Sequence, residues 1–152
     1  MRSIKIQKSD FVLGTEYERL RNSLECPPGA IVGFAGLVRD HMQGNITTAL
    51  TLEHYPGMTE SSVEKIVDQA FERWSLQAVR VIHRIGRLSP GDQIVLVLVA
   101  GVHRQESFQA CEFIMDYLKT DAVIWKKEHG EGSEKWLTPK SSDQERVKHW
   151  TE

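Results

Sequence analysis

HRQESFQACEFIMDYLKTDAVIWKKE, residues 103–128, reads as one long helix followed by a short apolar run. Phe108, Cys111, Ile114, Met115 and Leu118 recur at helical spacing, which predicts one broad apolar face turned toward a core. Thr120 and Asp121 break that pattern, and Ala122 to Trp125 suit a short buried strand. Basic residues punctuate the stretch: His103 and Arg104 open the helix, Lys119 closes it, and Lys126 and Lys127 come after the apolar run. A lysine at a helix C-terminus complements the macrodipole, so Lys119 is accounted for as an end residue. His103 and Arg104 oppose the dipole unless they and the free N–H groups of the first turn share an anion, which hints at a phosphate or carboxylate ligand. From His103 to Lys119 is 119 − 103 = 16 positions, or roughly 24 Å along a helix. Side chains at the two ends cannot both touch one small ligand within a single chain. If both serve one site, that site lies between two subunits.

Working outward, Ser89-Pro90-Gly91-Asp92 is a strong turn between two strand patterns, Gln77 to Ile85 and the fully apolar Ile94 to Ala100. Together they read as a hairpin feeding the helix. His83 falls in line with Val79, Val81 and Ile85 and is read as a core histidine. Upstream, Val63, Ile66, Val67, Ala70, Phe71 and Trp74 trace a packing helix, with Thr59 as its N-cap. LTLEHY, 50–55, alternates as a strand and stops at Pro56-Gly57. AIVGFAGLV, 30–38, is a further apolar strand whose Gly33 and Gly36 suggest a bulge or a close backbone approach. Arg39 leaves this strand with its guanidinium free either for solvent or for an anion, and DHMQGN then reads as a polar loop. Ile4 and Ile6 suggest an opening strand, and Thr15 is placed to cap a helix that runs to Leu24 and ends before Pro27-Pro28-Gly29. Beyond Glu128, HGEGSEKW reads as a glycine-rich loop, followed by a short strand from Lys135 to Thr138. For the tail from about residue 139, a final helical turn and a mobile end are both open. The whole chain, 1–152, is expected to form one domain. Hairpins imply antiparallel pairs, so the fold class is α+β rather than a doubly wound parallel sheet.

Composition narrows the function. The 152 residues are 40% hydrophobic and 26% charged, the balance of an ordinary globular protein. A net charge of −2 excludes a generally basic nucleic-acid binder but allows a local basic pocket. No apolar run reaches membrane-spanning length, and MRSIKIQKSD has no signal-peptide core, so a cytoplasmic location is expected. Cys26 and Cys111 form no CxxC, and the six histidines form no HExxH; no metal and no cofactor are expected. There is no P-loop or GxGxxG either. These patterns leave a suspected anion pocket fed by Arg39, His103, Arg104, Lys119 and Lys126, and no specified reaction.

TLEHYPGMTE (51–60), VIHRIGRLSPGD (81–92), HRQESFQACEFIMDYLKT (103–120) and WKKE (125–128) closely resemble the large, catalytic subunit family of molybdopterin synthase. The resemblance covers nearly the whole stretch from Ala30 to Trp136. It implies an α/β-hammerhead fold with an additional antiparallel β-sheet subdomain, and a central homodimer of large subunits within a heterotetramer. It implies a sulfurtransferase of molybdenum cofactor biosynthesis that converts precursor Z, a cyclic pyranopterin monophosphate, to molybdopterin. The two dithiolene sulfurs would come from a small ubiquitin-like partner whose C-terminal Gly-Gly carries a thiocarboxylate. By the same resemblance Lys119 and Lys126 are catalytic. Leu37, Val38, Arg39, His103, Arg104, Lys127, Glu128 and Lys140 then match substrate-pocket positions, with His103 and Arg104 drawn from the opposite subunit. Leu37 replaces a common lysine, and Lys140 stands where an arginine often contributes, so it keeps the charge without the bidentate fork. The competing function class is a non-catalytic scaffold whose basic residues grip a ubiquitin-like protein.

Overall fold

In the computed structural model, which describes residues 1–42 and 44–151, residues 76–101 supply the two central strands of a four-stranded sheet. β5 (Leu76–Arg84) and β7 (Gln93–Gly101) run antiparallel, with Val79 opposite Val99 and His83 opposite Val95. Their near-continuous apolar character comes from being packed on both faces. β1 (Arg2–Gln7) pairs parallel with β5, and β2 (Ala30–Leu37) pairs antiparallel with β7, leaving β2 at a sheet edge in the order β1-β5-β7-β2. The bulge suggested by the glycines of this strand falls between Gly36 and Leu37.

One face of this sheet is covered by α2 (Met58–Arg73) and α3 (Arg104–Leu118), whose Val63, Ile66, Val67, Ala110, Phe113 and Ile114 bury against Val79, Val81, Val97 and Val99. The other face takes α1 (Leu13–Ser23), with Phe11 and Leu20 packed on Ile82, Leu96 and Leu98. Each such fully buried aliphatic side chain contributes about 1.5–3 kcal/mol relative to exposure. A second sheet combines β3 (His41–Met42), β4 (Asn45–His54), β8 (Ile124–Gly130) and β9 (Ser133–Leu137), with the short β6 (Gly86–Leu88) also pairing with β4. Val38, Leu50, Leu52 and Leu88 form its small core. The tail forms α4 (Ser141–Lys148) and ends on the buried Trp150. Among the described residues no helix is long and apolar enough to cross a membrane.

The α+β class holds, and several local expectations shift. Phe108 is 62% exposed rather than core-facing. The buried face of α3 runs instead through Ser107, Ala110, Cys111, Ile114 and Leu118, because the first turn sits so close to Gly101 that its Ser107 hydroxyl occupies the space a β-carbon would need. Thr59 does not cap α2; Gly57 does, at φ +85. Thr59 lies in the first turn, where its hydroxyl accepts from Tyr55 N–H at 2.9 Å and donates to the Val123 carbonyl at 2.5 Å. This ties α2 to the segment entering β8. Thr15 likewise lies inside α1, which starts after Val12. The apolar run 122–125 enters a strand only at Ile124, and Trp125 points outward at 54% exposure. HGEGSEKW is no loop: β8 runs to Gly130, and β9 pairs back from Ser133 through a turn in which Gly132 takes φ +73. DHMQGN contains the β3–β4 hairpin, with Gln43 outside the described residues.

Candidate active site

Three chain segments converge at the C-terminal end of α3. The β2 strand delivers Leu37 and Arg39, the connector after α3 leads into Lys126 on β8, and the start of α4 brings Lys140 and Asp143. With Lys119 as the C-cap of α3, they line one cleft of about 660 Å³. Leu50, Ile94, Leu118 and Ile124 give it an apolar floor. Among the described residues none of Arg39, Lys119, Lys126 or Lys140 has a carboxylate within ion-pair distance. Unpaired cations in a partly apolar cleft are an arrangement suited to an anionic ligand, since each charge-assisted hydrogen bond is strong there.

The electrostatics of the two inner lysines reflect this crowding. Burial, then the neighbouring Lys119 charge, lowers the Lys126 pKa to about 8, with Asp143 pulling the other way. The Lys119 pKa is also lowered. Although Lys119 opens onto the cleft, the cleft walls desolvate its ammonium, and that is the larger cause; Arg39 and Lys140 add to it while Asp143 opposes. Behind the lysines, His83 is buried and its pKa falls to about 4, first through desolvation and then through the Lys126 and Lys119 charges. Its Nδ1 lies 2.9 Å from the Arg84 carbonyl, so the neutral ring donates from that nitrogen.

The buried charge of Lys126 has a consequence for stability. Its folded pKa is below its unfolded value of 10.5, so between about pH 8 and 10.5 the unfolded chain binds more protons and this group's contribution to stability rises with pH. At pH 7 the folded protein carries the full cost of a desolvated ammonium. Lys126→Met is expected to raise the unfolding free energy at pH 7 by roughly 1–3 kcal/mol and to flatten the rise above pH 8. Urea unfolding of both proteins at pH 7 and pH 10 measures this; equal stability at pH 7 would contradict it.

The remaining sequence-derived candidates lie elsewhere. Val38 is 3% exposed, its side chain is in the small core, and its backbone bonds to Asp92 and Gly91, so it seats Arg39 from beneath. Lys127 lies on the opposite side of β8 from Lys126, paired to Glu134 at 2.7 Å and stacked over Trp136. Glu128 is buried and accepts from the Thr47 hydroxyl at 2.8 Å. Neither lines the cleft. His103 is the N-cap of α3 and Arg104 its first residue; both are exposed, at the far end of the helix from Lys119. Gly29 packs so tightly on the Val102 carbonyl that no side chain fits there, which fixes this helix start. Asp143 and Asp121 were missed as cleft residues; the only sequence signal for Asp143 is an acid in the first turn of a helix.

Comparison with known proteins agrees with the geometry. The family model described as MoaE protein matches residues 6–121. The chain is 51% identical over 147 residues to the molybdopterin synthase catalytic subunit of Vibrio cholerae, covering 97% of each chain. A solved molybdopterin biosynthesis MoaE protein from Burkholderia ambifaria superposes with a TM-score of 0.85 at 44% identity, covering 100% of this chain and 99% of that one. The same fold extends to a Helicobacter pylori chain at 20% identity and TM-score 0.72, covering 91% of this chain and 92% of that one, from a complex of subunits 1 and 2 of molybdopterin-converting factor. Matched along most of its length by the family model and along nearly all of it by a close relative, this chain belongs to the MoaE protein family.

Proposed function

We propose that this chain is the catalytic subunit of a cytoplasmic molybdopterin synthase, converting precursor Z to molybdopterin. The sulfurs come from the thiocarboxylated Gly-Gly terminus of a small ubiquitin-like partner. The observation that carries this reading is the cleft in which Arg39, Lys119, Lys126 and Lys140 meet with, among the described residues, no carboxylate within ion-pair distance of any of them. Arg39 and Lys140 are suited to hold the substrate phosphate. Release of sulfur from the tail's acyl carbon passes through a tetrahedral centre with oxyanion character, which the Lys119 ammonium stabilises. Lys126, with its pKa near 8, can give up and recover a proton close to neutral pH. A scaffold that merely gripped an acidic partner would have no use for lysines whose pKa values are lowered, first by desolvation and then by neighbouring cations.

The working unit is a homodimer of this chain, with one small subunit bound to each copy in a heterotetramer. His103 and Arg104 stand a whole helix away from Lys119, so they serve the cleft of a second copy. The edge strand β2 and α3 expose Phe34 and Phe108 beside a groove that adjoins the cleft at Lys119 and Asp143, an apolar surface that suits such a copy.

The direct test is reconstitution of the chain with precursor Z and thiocarboxylated partner. Dithiolene formation is expected, and equally from a Cys26→Ser, Cys111→Ser double variant. Neither cysteine lines the cleft, and burial pushes the Cys111 thiol up to about 12, far from a thiolate carrier. No product from the wild-type chain would favour the scaffold, and loss confined to the cysteine variant would refute direct delivery of sulfur by the partner.

A further inference from the structure

We propose that Asp143 is a positioning residue for the two inner lysines, an internal counter-charge held over the end of α3 by α4. It keeps Lys119 and Lys126 able to carry their protons before the substrate's phosphate arrives.

The placement is built rather than incidental. Asp116 on α3 accepts from Arg146 Nε through one oxygen and from Trp150 Nε1 through the other, both at 2.8 Å. Arg146 also pairs with Glu112. Trp150 stacks edge-on against Trp74 and Phe113, and its carbonyl accepts from Arg73 at 2.8 Å. These bonds clamp α4 along α3 and leave its first turn at the level of Lys119. Asp143 thereby stands on the wall shared by the cationic cleft and the apolar groove, as Lys119 does.

The charged surroundings of the pair come from every side. Arg39 faces it from the exit of β2, Lys140 and Asp143 from α4, Asp121 from the turn after α3, and the neutral His83 from β5. Of the two cleft carboxylates, only Asp143 acts on both lysines, and it acts to hold their protons on. Among the described residues its carboxylate accepts one hydrogen bond, a long 3.3 Å contact from the Lys140 backbone N–H, and no cation comes within ion-pair distance of it. Capping the helix needs only an acceptor at this position; supplying a counter-charge needs a carboxylate. Asparagine separates the two roles.

This inference rests on the reading of Lys119 and Lys126 as working groups. Its first test needs no turnover. The full chain, as Asp143→Asn, Asp143→Glu and wild type, is pulsed with an amine-acylating reagent across pH 6–11, and the labelling midpoint of each lysine is read by mass spectrometry. Asp143→Asn is expected to lower the midpoints of Lys119 and Lys126 by about half to one pH unit, and Asp143→Glu to restore them. Unchanged midpoints in Asp143→Asn overturn the proposal, as would a shift that Asp143→Glu reproduces. In reconstituted synthesis the alkaline limb of kcat/KM, where the Lys119 ammonium is lost, should move down by the same interval. A wild-type chain that makes no dithiolene would defeat the proposed function, while the labelling result would still decide the role of Asp143.

Discussion

Lys119→Ala is expected to slow dithiolene formation by about 10²–10³-fold, the usual consequence of removing one preorganised stabiliser of an oxyanion. Lys119 is the C-cap of α3, and its backbone N–H bonds to Met115 O at 3.2 Å, a contact that alanine keeps. The fold should therefore survive the substitution. Assembly should survive as well, since Phe34 and Phe108, the exposed apolar residues of the groove offered to the second copy, are untouched. Single-turnover synthesis with excess partner isolates the chemical step, and size-exclusion chromatography verifies assembly. Wild-type rates in an assembled Lys119→Ala complex would remove this lysine from the chemistry.

Restoration between two damaged copies is the second large effect. Lys119→Ala and Arg104→Ala homodimers should each be impaired, because every cleft in them lacks one of the two groups. A mixed dimer, co-expressed with two different tags and purified through both, would hold one cleft with both groups intact. The other cleft would lack both. Its activity is expected to reach about half that of the wild-type dimer, as an isologous pair of shared sites requires. Activity no higher than that of either parent would mean that Arg104 serves the cleft of its own chain or none. The helix rise makes the own-chain alternative hard to satisfy, because the two residues lie at opposite ends of a 15-residue helix.

Much of the fold was legible in the sequence where local periodicity and packing agree. The hairpin at 76–101 and the two covering helices come directly from β-branched runs and 3.6-residue spacing. Periodicity could not decide which of two adjacent stripes on α3 faces inward. Phe108 is the more hydrophobic choice, yet tertiary packing prefers the small Ser107 against Gly101. HGEGSEKW misled because its polar residues occupy a solvent-facing hairpin, where polarity carries no strand signal. Among the site residues, Arg39, Lys119, Lys126 and Lys140 line one cleft. Lys127 and Glu128 adjoin them only along the chain: the pleat turns Lys127 away, and Glu128 is claimed by Thr47. Asp143 was beyond reach, since its position depends on Asp116 holding Arg146 and Trp150 across 30 and 34 residues of sequence.

The connector from Thr120 to Val123 therefore has a length that matters more than its composition. A single-residue insertion or deletion there that the chain absorbed by slipping β8 one position against β4 would present Lys127 to the ligand and turn Lys126 to the opposite face. Every motif would still be readable in such a chain, and it would nonetheless be inert. Among naturally occurring relatives, gaps in this connector mark the copies whose catalytic competence should be doubted first.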